Sequence, residues 1–286
     1  MVDLTVIIPS YNTKEILKKC VDLLIISLGQ TVNYEIIVVD NGSTDGSVEL
    51  LKENKKIKLI SNKENLGFSK ANNQGIKVAA GKYILFLNSD VYIKKIDFAE
   101  ILSFFKKNKK VGALTVKLER PDGSIDPACH RGFPTIWRSF CYFSKLEKVF
   151  GRTPFINKAF GGYHLTCFDL NTVHEIDSPS GAFYLTRKEV VDKVKDFDED
   201  FFMYGEDVDL SFRIKEKGYV IIFYPFYTAL HLKYQSGLDK KNIKTQSKTN
   251  QYFYESMKIF YQKHYQNKYP NLINKLIYFL IDSKLK

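Results

Sequence analysis

Carboxylates and one imidazole are the side chains of this sequence that are best suited to chemistry. The residues considered are Asn88, Ser89, Asp90, Glu206, Asp207, Asp209 and His231. Hard divalent cations prefer carboxylate oxygens, and neutral imidazole is a common metal ligand. The apolar run at 201–204 directly precedes the acidic group, and an apolar environment raises the pKa of a carboxyl group toward the range useful for a general base. These residues therefore predict one metal ion and one proton acceptor.

Each of these residues also has an ordinary structural interpretation. Asn88-Ser89-Asp90 can be a turn that ends a strand, and His231 can be a satisfied residue of a half-buried strand. The three later acids can be the first turn of a helix, where the macrodipole favours them. Asp40 precedes Asn41-Gly42, a strong turn signal, although a carboxylate there can also accept the imide N–H of uracil or thymine. The residue types alone leave these alternatives open.

Short apolar segments alternate with helical segments over the first 118 residues and predict a parallel sheet. The strands are expected at Leu4–Ile8, Glu35–Val39, Ile57–Ile60, Tyr83–Leu87 and Val111–Leu118. The first helix is expected to begin at Asn12, with Glu15 as its capping-box partner. Ligands in open α/β sheets bind outside the carboxyl ends of the strands, so Asp40 and Asp90 are expected at one edge. The predicted fold class is α/β, with a Rossmann-like, mainly parallel sheet and helices on both faces.

The rest of the chain is less regular. Residues 119–177 are aromatic and rich in Gly and Pro, as is typical of loops that cover a site. Further elements are expected at Ala182–Thr186 (strand), Glu206–Glu216 (helix), Tyr219–Tyr224 and Thr228–Lys233 (strands) and from Asn250 onward (helices). We therefore expect a main domain over 1–237, with halves at 1–118 and 119–237, and a basic, aromatic, helical C-terminal extension over 238–286.

The composition is that of an ordinary soluble protein, with 44% hydrophobic and 26% charged residues in 286. Much of the net charge of +11 lies in the extension, which has ten lysines, three acidic residues and no arginine. The missing arginine argues against nucleic acid as a partner. The extension is therefore either a solvated basic face or a helix that rests on an anionic membrane. With no evident signal peptide or bilayer-spanning segment, we expect a cytoplasmic protein, with or without peripheral membrane contact.

Glycine-rich phosphate-binding loops are missing from the sequence. Pro9-Ser10-Tyr11-Asn12 follows the first strand without the glycines of a dinucleotide-binding turn, and no P-loop sequence occurs. Oxidoreductases and P-loop enzymes are therefore poor matches. A nucleotide-sugar pyrophosphorylase would need a Gly-rich loop with Arg or Lys at the same place. A non-catalytic carbohydrate- or nucleic-acid-binding module has no need for Asp90, Asp207 and His231 together.

Five motifs occur in the order seen in family 2 glycosyltransferases, which this chain resembles. They are Pro9-Ser10-Tyr11-Asn12, Val38-Val39-Asp40-Asn41-Gly42-Ser43-Thr44-Asp45, Asn65-Leu66-Gly67-Phe68, Leu87-Asn88-Ser89-Asp90 and Gly205-Glu206-Asp207-Val208-Asp209-Leu210. The segments at 131–135 and 180–183 are similar to the bacterial rhamnosyltransferase-like branch. The resemblance implies a GT-A fold and an inverting, metal-dependent transfer of a sugar from a nucleotide donor.

The resemblance also implies roles for individual residues. It places Pro9, Tyr11, Asn12, Asp40, Asn65, Lys70, Asn88, Ser89 and Asp90 at the donor. Asp90 and His231 would hold Mg²⁺ or Mn²⁺, and Asp207, beside Glu206, would be the general base. The D-x-D motif of the family has Asn88 in its first position here, which leaves fewer charges on the metal.

The acceptor side is less specified. Candidate contacts are Trp137, Ser180 and Gly181, with Phe133, Tyr163 and His164 as further rings for stacking on a sugar. The expected reaction is transfer of L-rhamnose from dTDP-rhamnose to a saccharide hydroxyl, with a lipid-linked precursor of a cell-surface polysaccharide as the expected acceptor. The alternative is transfer from a UDP-hexose or UDP-N-acetylhexosamine.

Overall fold

The computed structural model describes residues 1–29, 31–233 and 243–285, with side chains from residue 248 onward in the last range. Within these residues, a nine-stranded sheet forms the centre. The strands are β1 (Leu4–Ser10), β2 (Tyr34–Asp40), β3 (Ile57–Ser61), β4 (Tyr83–Leu87), β5 (Val91–Tyr92), β6 (Val111–Glu119), β7 (His174–Ile176), β8 (Phe183–Arg187) and β9 (Val220–His231). Their order across the sheet is β3-β2-β1-β4-β8-β6-β9-β5, and β7 pairs with β9.

The first four strands in this order run parallel, as the sequence predicted. Ser10 lies opposite Asp40, and Asp40 lies opposite Ser61. β1, β2 and β4 are almost wholly buried, which agrees with their continuous apolar runs. The polar residues after these strands consequently meet at one edge of the sheet.

The second part of the sheet is mixed. β8 runs antiparallel to β4 and β6, whereas β6 and β9 are parallel. Two strands were expected where the single strand β9 runs, and this prediction was wrong. The register between β6 and β9 shifts between Thr115 and Lys117, so the chain around Pro225 is accommodated by a bulge and does not end the strand. β6 spans the expected boundary between the two halves, which therefore share one sheet.

Helices surround the sheet and complete an α/β fold. They are α1 (Lys14–Leu28), α2 (Ser47–Lys52), α3 (Phe68–Val78), α4 (Phe98–Lys107), α5 (Ile136–Phe143), α6 (Leu146–Phe150), α7 (Asn157–Phe160), α8 (Lys188–Val194), α9 (Glu206–Glu216), α10 (Ile243–His264) and α11 (Asn271–Asp282), with short 3₁₀ turns at Pro127–Cys129 and Gln266–Lys268. None of the described helices is long and apolar enough to cross a bilayer.

The start of α1 differs from the predicted capping box. The N-cap residue is Thr13, whose own side chain makes no capping hydrogen bond. The Lys14 N–H instead donates to Asp45 Oδ2 at 2.8 Å. Asn12 has φ 51°, and its Oδ1 accepts a hydrogen bond from the Thr44 backbone N–H at 2.8 Å. Its backbone N–H donates to Ser43 Oγ at 2.9 Å. Asn12 therefore joins the loop after β1 to the loop after β2.

The C-terminal helices pack on the main domain through a second apolar cluster. Its buried members are Phe201, Val208, Phe212, Phe260, Tyr261 and Tyr265. Lys263 of α10 forms ion pairs with Asp198 and Asp200. The expected boundary at residue 238 lies outside the described residues, and α10 begins at Ile243, seven residues before the expected start.

Candidate active site

A cavity of about 1540 Å³ opens beyond the carboxyl ends of β1, β2 and β4. The predicted site residues on its wall are Pro9, Tyr11, Asn65, Asn88, Ser89, Asp90, Trp137, Tyr163, Ser180, Gly181, Glu206, Asp207 and His231. Among the described residues, the predicted ones that lie off this wall are Asn12, Asp40, Lys70, Phe133 and His164. The cavity thus joins both acids and the imidazole, although they come from distant parts of the sequence.

Asp90 and His231 are neighbours because β5 pairs with the end of β9. Val91 lies opposite His231, and the Leu232 N–H donates to the Asp90 carbonyl at 3.0 Å. This pairing brings His231 Nε2 to 3.4 Å from Asp90 Oδ1. Both residues are at most 5% exposed. The two side chains form the candidate metal centre of the cavity.

Asp126 fixes the orientation of the His231 ring. Its Oδ2 lies 2.9 Å from His231 Nδ1, and its Oδ1 accepts from Lys233 Nζ at 2.8 Å. Burial alone would lower the pKa of His231, but the hydrogen bond to Asp126 and the charge of the nearby Asp90 carboxylate outweigh it and raise the pKa to about 9. A carboxylate on the far ring nitrogen is the usual support of a metal-bound histidine. Nε2 is therefore directed at Asp90.

The donor set at this point fits a hard divalent cation. Asp90 Oδ1 and Asn88 Oδ1 are both buried without a hydrogen-bond partner among the described residues. Two such oxygens beside an imidazole nitrogen are suitable ligands for Mg²⁺ or Mn²⁺. The described residues hold no cluster of three His, Cys, Asp or Glu side chains that could bind a metal. Any cation here consequently needs further oxygens from a ligand.

Asp207 lies in the first turn of α9, where its Oδ2 is tightly held. Arg131 Nη2 donates to this oxygen at 2.7 Å, and the Gly181 N–H donates at 2.9 Å. Burial disfavours the charged guanidinium, yet the adjacent Asp207 carboxylate raises the pKa of Arg131 above its usual value. The Arg131 guanidinium and the backbone N–H groups at the N-terminus of α9 place positive charge beside Asp207. A carboxylate on this wall can accept a proton.

Glu206 is the buried acid whose pKa the apolar wall raises. It is 6% exposed, and its Oε2 has no hydrogen-bond partner among the described residues. Burial, followed by the charge of Asp207, raises the pKa of Glu206 well above 4.5. The sequence predicted a raised pKa for one of the carboxyl groups that follow the apolar residues 201–204. In the structure this carboxyl group is that of Glu206.

Asp209 has a structural role in the same helix. Its Oδ2 accepts from Arg213 Nε at 2.8 Å, and its Oδ1 lies 2.7 Å from His264 Nε2 on α10. With 1% exposure, Asp209 lies beneath the cavity wall. No pattern in the sequence indicated this partner for His264. His130 with His174, and His164 with Glu147, are two further pairs that the sequence did not indicate.

The loop after β2 is arranged around Asp40. The Asp40 Oδ2 accepts from the backbone N–H groups of Gly42 and Ser43 at 3.1 and 2.9 Å. Its Oδ1 is buried and unpartnered among the described residues. Asn65 Oδ1 likewise accepts from the Gly67 N–H, at 3.0 Å. Asp40 thus serves as a turn residue and still has one oxygen available to a ligand.

Arg131, Asp126 and the wall from α10 were missed as functional residues. Arg131 and Asp126 lie in the irregular segment, 76 and 105 residues from their partners Asp207 and His231. Arg131 belongs to a segment with a family resemblance, which was the only signal for it. The apolar face of α10 was recognised as a helix face, but nothing in its sequence related it to the cavity.

Comparison with known proteins gives a consistent family. The family model described as glycosyl transferase family 2 matches residues 5–164, and glycosyl transferase family group 2 matches residues 164–268. Glycosyltransferase GlyA of Streptococcus pneumoniae is 40% identical over 102 residues, which are 35% of this chain and 14% of that protein. This match thus spans only a small part of that larger relative.

Two further matches cover more of the chain. The N-acetylglucosaminyl-diphospho-decaprenol L-rhamnosyltransferase of Mycobacterium tuberculosis is 27% identical over 227 residues, 74% of this chain and 70% of that protein. A mannosyltransferase of Pyrobaculum calidifontis, solved with GDP-Man and Mn²⁺, superposes with a TM-score of 0.59 at 16% identity, covering 88% of this chain and 62% of that one. The latter likeness concerns the fold alone. The sheet order, the matched motifs and these relatives agree: the chain belongs to glycosyl transferase family 2 and has the GT-A fold.

Proposed function

We propose that the protein is an inverting, metal-dependent glycosyltransferase that moves a sugar from a nucleoside diphosphate to a hydroxyl group of a saccharide. One observation carries the proposal: Asp90, Asp207 and His231 line one cavity. Its volume of about 1540 Å³ exceeds the roughly 300–1,000 Å³ of common small-ligand sites. A donor and an acceptor can therefore occupy it together.

The donor is proposed to lie along the loops after β1, β2 and β4. The free Oδ1 of Asp40 would accept the imide N–H of thymine or uracil. The further donor residues are Pro9, Tyr11, Asn12, Asn65, Lys70, Asn88 and Ser89. Asp40, Asn12 and Lys70 would act from beside the cavity, since none of them lies on its wall.

Asp90 and His231 are proposed to hold Mg²⁺ or Mn²⁺ together with the diphosphate of the donor. A cation in this place neutralises charge on the departing nucleoside diphosphate. The orphaned oxygens of Asp90 and Asn88 support this site, as does the Mn²⁺ in the related mannosyltransferase. Asp126 keeps the His231 ring in position for it.

Asp207 is proposed to be the general base, with Glu206 beside it. It takes the proton from the acceptor hydroxyl as that oxygen bonds to the anomeric carbon and the bond to the diphosphate breaks. No covalent intermediate with the enzyme forms, so the configuration inverts. Arg131 and the Gly181 N–H hold Asp207 Oδ2, which fixes the carboxylate during this step.

The proposed donor is dTDP-L-rhamnose, and the proposed acceptor is a lipid-linked saccharide. The name of the mycobacterial relative supports both choices, and a UDP-hexose or UDP-N-acetylhexosamine is the alternative donor. Trp137 and Ser180 on the cavity wall, with Gly181, would contact the acceptor. A lipid-linked acceptor also implies peripheral contact with an anionic membrane.

A hydrolysis screen tests the proposal. The purified protein is incubated with dTDP-rhamnose, UDP-glucose, UDP-N-acetylglucosamine or GDP-mannose and with Mg²⁺, Mn²⁺ or a chelator, without acceptor. We expect slow release of the nucleoside diphosphate from one donor, only with a cation.

The matched variants in this screen are Asp90→Ala and Asp97→Ala. Asp97 caps α4 through the Glu100 N–H and does not line the cavity. Loss of hydrolysis is expected in the first variant alone. Binding of a nucleotide sugar that is equally strong with and without a cation, with no turnover, would instead indicate a carbohydrate-binding module.

A further inference from the structure

Helix α11 presents an apolar face away from the protein. Leu272, Leu276, Phe279 and Leu280 follow the i, i+4, i+7, i+8 spacing of one helix face. Leu272 is 80% exposed and Phe279 is 70% exposed. A surface helix of a soluble protein normally buries such a face against the core.

The opposite side of α11 faces the protein: Ile277 packs on the second apolar cluster, Ile281 is buried, and polar contacts lie beside them. Asn274 is buried, accepts a hydrogen bond from Tyr261 Oη of α10 at 2.7 Å, and donates to the Gln266 carbonyl at 3.0 Å. Tyr278 Oη also reaches Gln266, and Lys258 pairs with Asp282 at 2.7 Å. These polar contacts fix how α11 is rotated on α10. The contacts between α10 and α11 therefore hold the leucines of α11 on its outer side.

Helix α5 presents aromatic side chains at the same opening. Trp137 and Phe140, with ring centroids 5.7 Å apart, are each about half exposed. Both of them line the cavity, and so do Leu276 and Leu280 of α11. The two helices thus flank one mouth. We call the exposed side chains of this mouth the apolar rim; they are Trp137, Phe140, Phe143, Leu272, Leu276, Phe279 and Leu280.

The charges near the rim favour an anionic lipid surface over a second copy of the chain. Lys275 borders the apolar face of α11, and Lys284 follows the end of the helix. Both are exposed, and neither forms an ion pair among the described residues. Two copies meeting at this rim would bring these ammonium groups together, whereas anionic headgroups would pair with them. Apolar residues bordered by lysines are typical of helices that lie in a membrane interface.

We propose that the apolar rim inserts into the surface of an anionic membrane, so that the mouth of the active-site cavity opens at the lipid. Membrane binding by the rim does not depend on the proposed function. Only the reason for it does: a mouth at the membrane surface would admit an acceptor carried by a lipid. The proposal goes beyond the electrostatic attraction of a basic extension to an anionic membrane, because it assigns membrane binding to the outer faces of α5 and α11.

The chain has one tryptophan, so its fluorescence reports on the rim directly. The full chain is mixed with vesicles of phosphatidylglycerol and phosphatidylethanolamine, with and without brominated acyl chains. We expect a blue shift of Trp137 emission, quenching by the brominated chains, and flotation of the protein with the vesicles. An emission maximum that stays constant, together with no flotation, overturns the proposal.

Two double variants test which residues insert. Leu272→Ser with Phe279→Ser removes the two most exposed side chains of α11, and we expect the partition coefficient to fall about tenfold or more. The matched control is Ile26→Ser with Phe226→Ser, which removes two residues that are 72% and 65% exposed on α1 and β9. The control should float like the wild type. Equal loss in both, or in neither, overturns the assignment.

Light scattering tests whether the rim is an interface between two copies of the chain, and donor hydrolysis tests the proposed function. If the rim variant changes the oligomeric state while the wild type ignores vesicles, the rim is an interface between copies, and the lipid proposal is overturned. Donor hydrolysis by the wild type is measured in buffer without vesicles. Its absence there refutes the proposed function, whereas the vesicle result is judged independently.

Discussion

Two aspartates in one helical turn have opposite roles at the residue scale. Asp207 lies on the cavity wall and is held by Arg131, whereas Asp209 is buried against Arg213 and His264. We expect Asp207→Asn to lower turnover by about 10²–10⁴-fold, because the step loses its proton acceptor. Steady-state kinetics with the donor found in the screen measure this, and near-normal turnover would exclude Asp207 as the base.

Asp209→Asn is the control for this substitution. It leaves Arg213 without its buried partner and weakens the contact to His264, so we expect a loss of about 3–5 kcal/mol in the free energy of unfolding. Turnover per folded molecule should stay near that of the wild type. Urea unfolding and active-site titration distinguish the two effects.

Glu206 makes stability depend on pH. Its pKa is raised in the folded protein, so the folded state holds the proton more tightly than the unfolded state does. The resulting stability is present below about pH 4.5 and is lost as the pH rises toward the raised pKa. The side chain of the Glu206→Gln variant cannot ionise, so this variant does not lose stability as the pH rises. The difference between its Tm and that of the wild type should therefore grow by several degrees from pH 5 to pH 8, since about 1 kcal/mol corresponds to about 2–4 °C. A difference in Tm that is constant over this range would contradict the shift.

Residue types and positions allowed much of the site to be predicted. Asp90, Asp207 and His231 were recognised through the family resemblance: Asp90 follows a predicted strand, Asp207 opens a predicted helix and His231 lies within a predicted strand. Their hydrogen-bond partners Asp126 and Arg131 were not recognised, because such contacts depend on how distant segments of the chain pack together. The segment with Asp126 and Arg131 has no periodicity, so nothing local indicated that their side chains point at the site.

At the scale of elements, the start of α9 determines where Asp207 lies. Tyr204 and Gly205 both have positive φ, 69° and 78°, and a Cβ on Gly205 would lie 3.2 Å from Phe201 and Ser256. Gly205→Ala should cost about 1–2 kcal/mol in strain, and the crowding should move the helix end and lower turnover. Thermal unfolding and kinetics measure the two effects.

The other end of α9 offers a matched control. Gly218 has a similar φ of +81°, but a Cβ there meets nothing within 4 Å. Gly218→Ala should therefore cost only the backbone strain and leave turnover unchanged. If both substitutions lower turnover equally, crowding at Gly205 is not what positions Asp207.

Elements were predicted well where local pattern decides them. The apolar runs of β1, β2 and β4 and the span of α9 are confirmed. The capping box at Asn12 was wrong because a backbone N–H from another loop competes for its side chain. The break in β9 was wrong because a bulge accommodates Pro225 within one strand.

For the whole molecule, α10 contributes more to the folded core than α11, which adds Ile277 and Tyr278 at the edge of the second apolar cluster. α10 supplies Phe260 and Tyr265 to the second apolar cluster and His264 to Asp209. A chain that ends at residue 242 should lose Tm by many degrees and bind a hydrophobic dye. A chain that ends at residue 269 keeps these contacts and loses only those of α11, such as Asn274 with Tyr261, so its Tm should fall by fewer degrees. Equal Tm values for both truncated chains would show that α10 is not part of the folded core.

The shared sheet has a consequence for how molecules enter and leave. β4 and β8 are hydrogen-bonded neighbours, so the strands that carry Asp90 cannot hinge away from those that lead to Asp207. Opening the site by swinging one half from the other would break this ladder. We therefore expect ligands of the cavity to enter and leave through the mouth that α5 and α11 flank.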